Sequence, residues 1–293
     1  MPKAVLAGLK KHPVELSVIC AMLDSGGSAG RERELYKTNV SFGDIRRVFL
    51  ALSDASPDVI RAFSVRFKDG PYKGLVMANV LGTAMITEGI DYERTLKVYR
   101  EILKIPSQYQ IFPSTVDNAT LCAELENGQI IKGEGNIDVP NHNSKVSKVY
   151  LKPKPAAYLG AVEAAKEADL IVIGPGDLYS SLAQILLIDG ISQALNKSKA
   201  KKVYICNIMT KKGETDNFSV LDFTAEIEKY LKGPVDFVVY NNDKKFDSRD
   251  LVKINSGLEK NGKFIGKDLL KSGTAEHDPD KLAKIILNIC KPR

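Results

Sequence analysis

The sequence predicts an α/β protein with a doubly wound and mainly parallel sheet. Four short apolar runs, each followed by a polar or glycine-rich loop, support this prediction: residues 14–22, 169–173, 202–206 and 235–240. Short continuous apolar runs are typical of strands buried on both faces, as in parallel sheets. Because helical patterns separate these runs, the chain alternates strand and helix in the manner of a doubly wound fold.

The helical segments are predicted from periodicity and capping residues. Segments 161–168, 182–195, 220–231 and 279–290 have helical patterns. Ser219 is a candidate cap for the third, and Asp278 followed by proline is a favourable start for the fourth. At the other end of the chain, Pro2 suits the first position of a helix.

One section departs from the parallel pattern. Asn127-Gly128 lies between the apolar stretches 119–126 and 129–135, which is a strong signal for a tight β-hairpin. Residues 146–151 resemble a further strand. The sequence therefore predicts a small antiparallel element with a structural role.

The bulk properties exclude several classes of protein. No apolar run among the 293 residues approaches the roughly 20 residues that span a bilayer, and the N-terminal segment is already charged at Lys10 and Lys11. We therefore expect a cytoplasmic protein without a membrane partner. The net charge of +6 comes from scattered lysines, denser in residues 244–271, and fits an anionic small ligand better than nucleic acid.

Cysteine and histidine give no sign of metal or nucleophilic chemistry. The four cysteines form no C-x-x-C pair and are expected to be buried thiols. The three histidines are far apart in sequence, which disfavours a zinc site, and none lies in a recognisable strand-end loop. A hydrolase is disfavoured because the chain has no G-x-S-x-G elbow.

Three strand-end loops are the candidate binding elements: residues 23–31, 174–181 and 207–216. Ligands of open parallel sheets bind beyond the carboxyl ends of the strands, where glycines and helix N-termini accept phosphates. Each loop also has a structural interpretation, since the glycines can form turns and Ser180 and Ser181 can cap a helix. Asp24 and Asp177 can be caps or magnesium ligands. The sequence has neither a P-loop nor a G-x-G-x-x-G motif.

The same loops resemble a known family. Segments 174–181 (Gly-Pro-Gly-Asp-Leu-Tyr-Ser-Ser), 203–210 and 213–216 (Gly-Glu-Thr-Asp) are similar to YvcK-type gluconeogenesis factors, which belong with the CofD-type 2-phospho-L-lactate transferases. Residues 24–31 resemble the D-D-G-G-S-S-G-R loop, 43–46 the G-D-x-R segment, and 74–79 the G-H-x-x-G-N segment. The resemblance covers about residues 3 to 243.

The resemblance implies a single nucleotide-binding domain over residues 1–293, with a Rossmann-like core that binds the nucleotide across the strand ends. YvcK-type members bind UDP-sugars and act in carbon metabolism and cell-envelope regulation. CofD-type members transfer phospholactate from a guanylyl carrier to a deazaflavin alcohol with Mg²⁺. A transferase of this kind is the alternative to a UDP-sugar-binding regulator. A homodimer is also compatible with the resemblance.

The resemblance also assigns candidate residues. Asp24 and Asp44 are candidates for metal or transfer chemistry. The remaining candidates would contact the nucleotide or its phosphates: Ser25, Gly26, Gly27, Ser28, Gly30, Arg31, Arg46, Asn79, Gly174, Pro175, Gly176, Asp177, Tyr179, Ser180, Ser181, Asn207, Thr210, Gly213, Glu214, Thr215 and Asp216.

The chain departs from the family pattern at several positions. Ser25 stands where the family has a second aspartate, Arg47 replaces an asparagine and Leu75 a histidine, which weakens metal-dependent transfer. The family also opens with a strand and a Gly-Gly-Gly-Thr-Gly loop, and this sequence begins just after them. We expect weaker ligand binding than in a version extended through that loop, and two unpaired or rearranged sheet edges.

Overall fold

The computed structural model describes residues 3–39, 41–142, 144–243 and 250–290. Its parallel strands form two sheets. In the first, β1 (Leu16–Cys20) pairs with β2 (Tyr109–Pro113). The second has the order β6-β7-β8-β9, with bounds Leu170–Ile173, Lys201–Ile205, Phe237–Asn241 and Phe264–Lys267. Among the described residues, β1 and β6 each pair with one strand only.

A third sheet is antiparallel and lies between the two parallel sheets in the chain. Its central strand β3 (Thr120–Leu125) pairs with β4 (Ile130–Lys132) on one side and β5 (Val146–Lys152) on the other. Gly128 in the connecting turn has φ +83°, a left-handed conformation that glycine adopts without strain. The predicted hairpin and the following strand are confirmed.

Helices complete the fold and surround the sheets. The described α-helices are α1 (Lys3–Leu9), α2 (Gly27–Tyr36), α3 (Gly43–Leu52), α4 (Pro57–Ser64), α5 (Met77–Thr87), α6 (Tyr92–Ile102), α7 (Glu134–Asp138), α8 (Leu159–Glu167), α9 (Gln184–Leu186), α10 (Ile191–Lys197), α11 (Val220–Leu231) and α12 (Pro279–Cys290). A π-helical segment, Leu178–Ala183, leads directly into α9.

The second parallel sheet is covered on both faces. Tyr204 and Val238 face a core shared with the antiparallel sheet and helices α8, α10 and α11, whereas Val203 and Val239 face a core shared with α1 and α12. Strands β1 and β2 pack against the helices of the segment α3–α6 in a third core. The mixed α/β class with a parallel, doubly wound core is thus confirmed.

The structure differs from the sequence prediction in several elements. Strands β2 and β9 were not predicted. The helix expected over 182–195 is interrupted at Gly190, whose φ of +104° is incompatible with a continuing right-handed helix. The strand expected to run to residue 135 ends at Lys132, because Gly133 (φ +92°) turns the chain into α7. Pro2, the expected helix start, lies outside the described residues.

Two other properties follow from the described residues. None of their helices combines the length and the apolarity needed to cross a bilayer. Cys20, Cys122 and Cys206 are buried free thiols as expected, but Cys290, the last residue of α12, is exposed.

The predicted cap of α11 is confirmed and gives a direct test of local stability. The Ser219 side chain accepts a hydrogen bond from the Asp222 backbone N–H, while the Asp222 side chain accepts one from the Ser219 N–H at 2.8 Å. We expect Ser219→Ala to lower the free energy of unfolding by about 1 kcal/mol, the usual effect of losing such a cap. Urea denaturation measures it; an unchanged midpoint would contradict the capping role.

Candidate functional site

Helix α7 forms the antiparallel unit (residues 120–152) together with strands β3, β4 and β5, and it holds the loop that follows β1. Ser25 donates its backbone N–H to Glu134 Oε2 at 3.0 Å, and Ser25 Oγ accepts the Gly135 N–H at 3.1 Å. The fit is close, since a Cβ on Gly135 would lie 2.7 Å from the Gly26 Cα. These reciprocal contacts fix the position of a loop that the sequence predicts to bind phosphate.

Two carboxyl groups meet at this junction. Asp24 Oδ1 accepts the Gly26 N–H at 2.9 Å, and the Asp24 and Glu134 side chains are hydrogen-bonded to each other. Burial, together with the negative charge of Asp24, raises the pKa of Glu134 to about 8. Burial also raises the pKa of Asp24. The pair therefore holds a proton at neutral pH, which allows two acids to share a hydrogen bond in a partly buried place.

Arginine 33 and Gly30 complete the surroundings of this loop. Arg33 donates to the Asp24 carbonyl at 3.2 Å and to Asn118 Oδ1 at 3.0 Å, and burial lowers its pKa. A cleft of about 420 Å³ opens beside them, with Ser25, Gly30, Arg33, Asn118 and Glu134 among its lining residues. Polar atoms make up more of the exposed wall of this cleft than apolar atoms.

The loops that follow β6 and β7 are in contact. Asn207 Nδ2 donates to the Gly176 carbonyl at 3.1 Å, so two of the predicted binding loops meet. A third connection comes from Gln184, which is 1% exposed. Its Oε1 accepts the Leu23 N–H at 3.1 Å and its Nε2 donates to the Ser180 carbonyl at 2.9 Å. The carboxyl ends of β1, β6 and β7 thus form one continuous polar region.

Lysine 211 lies at the centre of this region and is surrounded by carboxylates. Its Nζ contacts Asp138 Oδ1 and lies 3.0 Å from Glu214 Oε1 and 3.4 Å from Asp177 Oδ1. Burial alone would lower the pKa of Lys211, but Glu214, Asp138 and Asp177 raise it above its ordinary value. Burial raises the pKa of Glu214 to about 7 despite the nearby ammonium.

Helix α7 reaches both loops at once. Glu134 and Gly135 at its start contact the loop after β1, whereas Asp138 at its end contacts Lys211 in the loop after β7. Just beyond, Pro140 covers Gly213, where an added Cβ would lie only 2.2 Å from Pro140 Cγ. The antiparallel unit, expected to be merely structural, therefore supplies side chains to the candidate site.

Several predicted residues shape the loop that carries them. Thr215 Oγ1 accepts the Lys211 N–H at 2.8 Å, and Asp216 Oδ2 accepts the Gly213 N–H at 2.5 Å. Thr210 donates both its N–H and its hydroxyl to the Asp250 carbonyl. Tyr179 is buried against the edge of Tyr230 in the core. Ser180 and Ser181 lie inside the π-helical segment and do not cap a helix.

Gly174 and Pro175 lie directly after β6, whereas other candidates lie on the helices next to the loop after β1. Asp44 is paired with Arg47 at 2.8 Å, and Arg31 donates to the Lys73 carbonyl at 2.7 Å. Ser28, Arg46 and Asn79 surround the buried carboxylate of Glu32, which accepts the Ser28 hydroxyl at 2.8 Å. Burial raises the pKa of Glu32. These residues form a second polar cluster, distinct from the contacts around Lys211.

Buried polar atoms without a hydrogen-bond partner concentrate near the end of β7. Eight side-chain atoms of the described residues are buried without a hydrogen bond, and five of them lie in β7, in its following loop or on one histidine that contacts it: Tyr204 Oη, Asn207 Oδ1, Glu214 Oε1 and Oε2, and His277 Nε2. One of the five, Glu214 Oε1, is ion-paired with Lys211 Nζ at 3.0 Å, which leaves four without a partner. Since native proteins pair nearly all buried polar groups, such a cluster marks a place that a polar ligand or water completes.

Histidine 277 was not expected at this edge of the sheet. Its ring hydrogen-bonds to the Cys206 backbone at the end of β7, and burial lowers its pKa to about 4, so the ring is neutral at physiological pH. No feature of the sequence indicates this contact, because His277 comes 71 residues after Cys206, just before α12.

The two candidates for metal chemistry, Asp24 and Asp44, are each engaged by neighbouring residues. Within the described ranges, no group of three or more His, Cys, Asp or Glu side chains is arranged to hold a metal ion. Asp44 is engaged by Arg47, and Asp24 by Glu134 and the Gly26 N–H. Sequence reasoning also missed Glu134, Asp138 and Lys211, whose roles come from contacts between distant segments and leave no local signal.

Comparison with known families agrees with this arrangement of loops. A family model described as 2-phospho-L-lactate transferase CofD matches residues 3–272. The chain belongs to this CofD family. The family resemblance expected from the loop motifs is therefore confirmed.

Relatives within the CofD family are called gluconeogenesis factors. Those from Listeria innocua and Bacillus subtilis are 37% and 31% identical and align with 97% and 98% of this chain, covering 90% and 94% of their own lengths. The chain spans 66% of the length of a relative from Clostridium acetobutylicum. A crystal structure of a UPF0052-family protein from Bacillus halodurans, 31% identical, superposes with a TM-score of 0.90 over 97% of this chain and 96% of that one.

Proposed function

We propose that this protein binds a nucleotide-sugar, specifically a UDP-sugar, and acts as a regulator of central carbon metabolism and the cell envelope. The observation that carries the proposal is the cluster of buried, unpartnered polar atoms near the end of β7. The name of its relatives, gluconeogenesis factor, supports a role in carbon metabolism. That role would place the protein in the cytoplasm.

The geometry suits a ligand with both polar and anionic parts. Asn207 Oδ1 can accept a hydrogen bond from the base or sugar, and the backbone N–H groups of glycine-rich loops are suited to phosphates. Lys211 lies in the loop after β7 and is ion-paired with Asp177 in the loop after β6. A buried acceptor that is unpaired in the free protein favours a ligand with N–H or O–H donors.

A transferase is the second candidate, favoured by the description of the matching family. If the protein is such a transferase, Asp24 and Asp44 would assist the transfer of phospholactate from a guanylyl carrier. The engagement of Asp44 by Arg47 and the absence of a metal-ligand group within the described ranges count against it.

A thermal-shift panel separates the two candidates. It compares UDP-N-acetylglucosamine, UDP-glucose, GDP and GTP, each with and without Mg²⁺. A ligand present at a hundred times its Kd adds about 2.7 kcal/mol to stability, which raises the melting temperature visibly. We expect a shift with the UDP-sugars. A shift with guanine nucleotides that requires Mg²⁺ would favour the transferase instead, and no shift with any nucleotide would refute nucleotide binding.

A further inference from the structure

Asp138 makes the contacts that an anionic ligand would make. Its Oδ1 contacts Lys211 Nζ and accepts the Ser180 hydroxyl at 3.3 Å. These two donors belong to the loops after β7 and β6, the loops predicted to bind phosphates. One carboxylate of the antiparallel unit thus bridges two loops of the parallel sheet, at the point where they approach each other.

The charge around Lys211 opposes an added anion. One ammonium faces three carboxylates: Asp138, Asp177 and Glu214. Glu214 has no exposed side-chain area and cannot move without disturbing the core of the loop. Asp138, by contrast, is 36% exposed and lies at the end of a helix of five residues. Asp177 is 45% exposed, but its Oδ1 lies farther away, 3.4 Å from Lys211 Nζ, so Asp138 is the exposed carboxylate that makes the close contact with Lys211.

We propose that Asp138 is an internal competitor for the anion site, and that the Asp138–Lys211 contact is a lock that a phosphate-bearing ligand must open. The ligand's phosphate then takes over Lys211 Nζ and Ser180 Oγ, and α7 moves away from the loop after β7. This regulation rests on the proposed function, because the group that competes with Asp138 is a phosphate of the proposed nucleotide-sugar.

Breaking the Asp138–Lys211 contact would also affect the start of α7. The start of the helix holds the loop after β1 through Glu134 and Gly135, and Pro140 covers Gly213. A displacement of α7 therefore loosens the loop after β1 and uncovers Gly213. Val139, which is 75% exposed, lies on the surface that would change on ligand binding.

The first test measures affinity for inorganic pyrophosphate by calorimetry. We expect Asp138→Asn to bind it about fivefold to tenfold more tightly than the wild type, the effect of removing about 1 kcal/mol or slightly more of competing ion-pair free energy. Glu124→Gln is the matched control, because Glu124 pairs with Lys148 at 2.8 Å on the same antiparallel unit and is 37% exposed. Its affinity should equal that of the wild type.

A double-mutant cycle shows whether the gain acts through Lys211. In a Lys211→Gln background, Asp138→Asn should give no gain in pyrophosphate affinity. A gain in pyrophosphate affinity that persists in this background would reflect a general change in charge and would overturn the proposal. Pyrophosphate binding by Asp138→Asn that is equal to or weaker than that of the wild type would also overturn it. So would the absence of pyrophosphate binding in every variant. The nucleotide panel decides the proposed function separately, so a failed lock and a failed function are distinguishable.

Hydrogen exchange of the ligand-free protein gives a test that needs no ligand. With Asp138→Asn, the backbone amides of α7 should exchange about fivefold faster, since the helix loses an anchor worth about 1 kcal/mol. Glu124→Gln should leave these amides unchanged. Equal exchange in all three proteins would show that Asp138 does not hold α7 and would overturn the proposal.

Discussion

Gly30→Ala is expected to lower the melting temperature by roughly 5–10 °C and the free energy of unfolding by about 3 kcal/mol. An alanine Cβ at this position would lie 1.9 Å from the Ser25 carbonyl oxygen and 2.3 Å from the carbonyl carbon. Both atoms are backbone, so no side chain can rotate away to make room. Ser25 itself is held by Glu134 and Gly135, and the clash must displace either α2 or the loop after β1.

The sign of this effect is opposite to helix propensity, which makes the test specific. Gly30 lies within α2, where alanine would ordinarily stabilise the helix by up to about 1 kcal/mol relative to glycine. Gly262→Ala is the control, because Gly262 has no heavy atom within 4 Å of the added Cβ. Thermal denaturation measures both variants. A Gly30→Ala protein as stable as the wild type would contradict the close approach of Ser25 to α2.

Glu134→Gln is expected to stabilise the protein at pH 8 by about 2 kcal/mol and to have little effect at pH 5. A glutamine amide keeps an acceptor for the Ser25 N–H and gives a permanent donor to Asp24, and thus imitates the protonated acid. The raised pKa means that wild-type Glu134 keeps its proton in the folded protein up to about pH 8.

The direction of the pH dependence follows from proton linkage. The unfolded chain loses the Glu134 proton near its ordinary value of 4.5, and the folded protein only near 8. Between these values the folded state binds more protons, so the wild type loses stability as pH rises through this window. Urea denaturation at pH 5, 6.5 and 8 measures the difference between variant and wild type. A difference that does not grow with pH would show that Glu134 is ionised in the folded state.

The sequence predicted the strands and helices whose local pattern is unambiguous. Strands β6, β7 and β8, helices α11 and α12, and the hairpin at Asn127-Gly128 all lie where apolar runs, caps and turn residues indicate them. Strand β9 was not predicted because it is only four residues long and includes Gly266. A Cβ added at Gly266 would lie 2.6 Å from the Tyr240 hydroxyl oxygen. The glycine at this position is therefore explained by close packing against Tyr240, which the sequence pattern does not show.

The candidate site was predictable in its loops but not in its side-chain contacts. Glycine and serine identify the strand-end loops, and the rule that parallel strands bind ligands at their carboxyl ends brings those loops together. No such rule connects Glu134 to Asp24 or Asp138 to Lys211, since these pairs come from different sheets. The same holds for Gln184, which is polar, almost fully buried and located in an apolar segment.

Helix α7 has a consequence for the order of events in folding. Its contacts join residues far apart in the chain: Ser25 and Glu134 are separated by 109 residues, and Asp138 and Lys211 by 73. Contacts of such high sequence separation form slowly, because a long stretch of chain must be ordered first. The hairpin β3–β4, by contrast, closes through a local turn. A newly synthesised chain would therefore acquire most of its secondary structure before its loops adopt the arrangement that recognises a ligand.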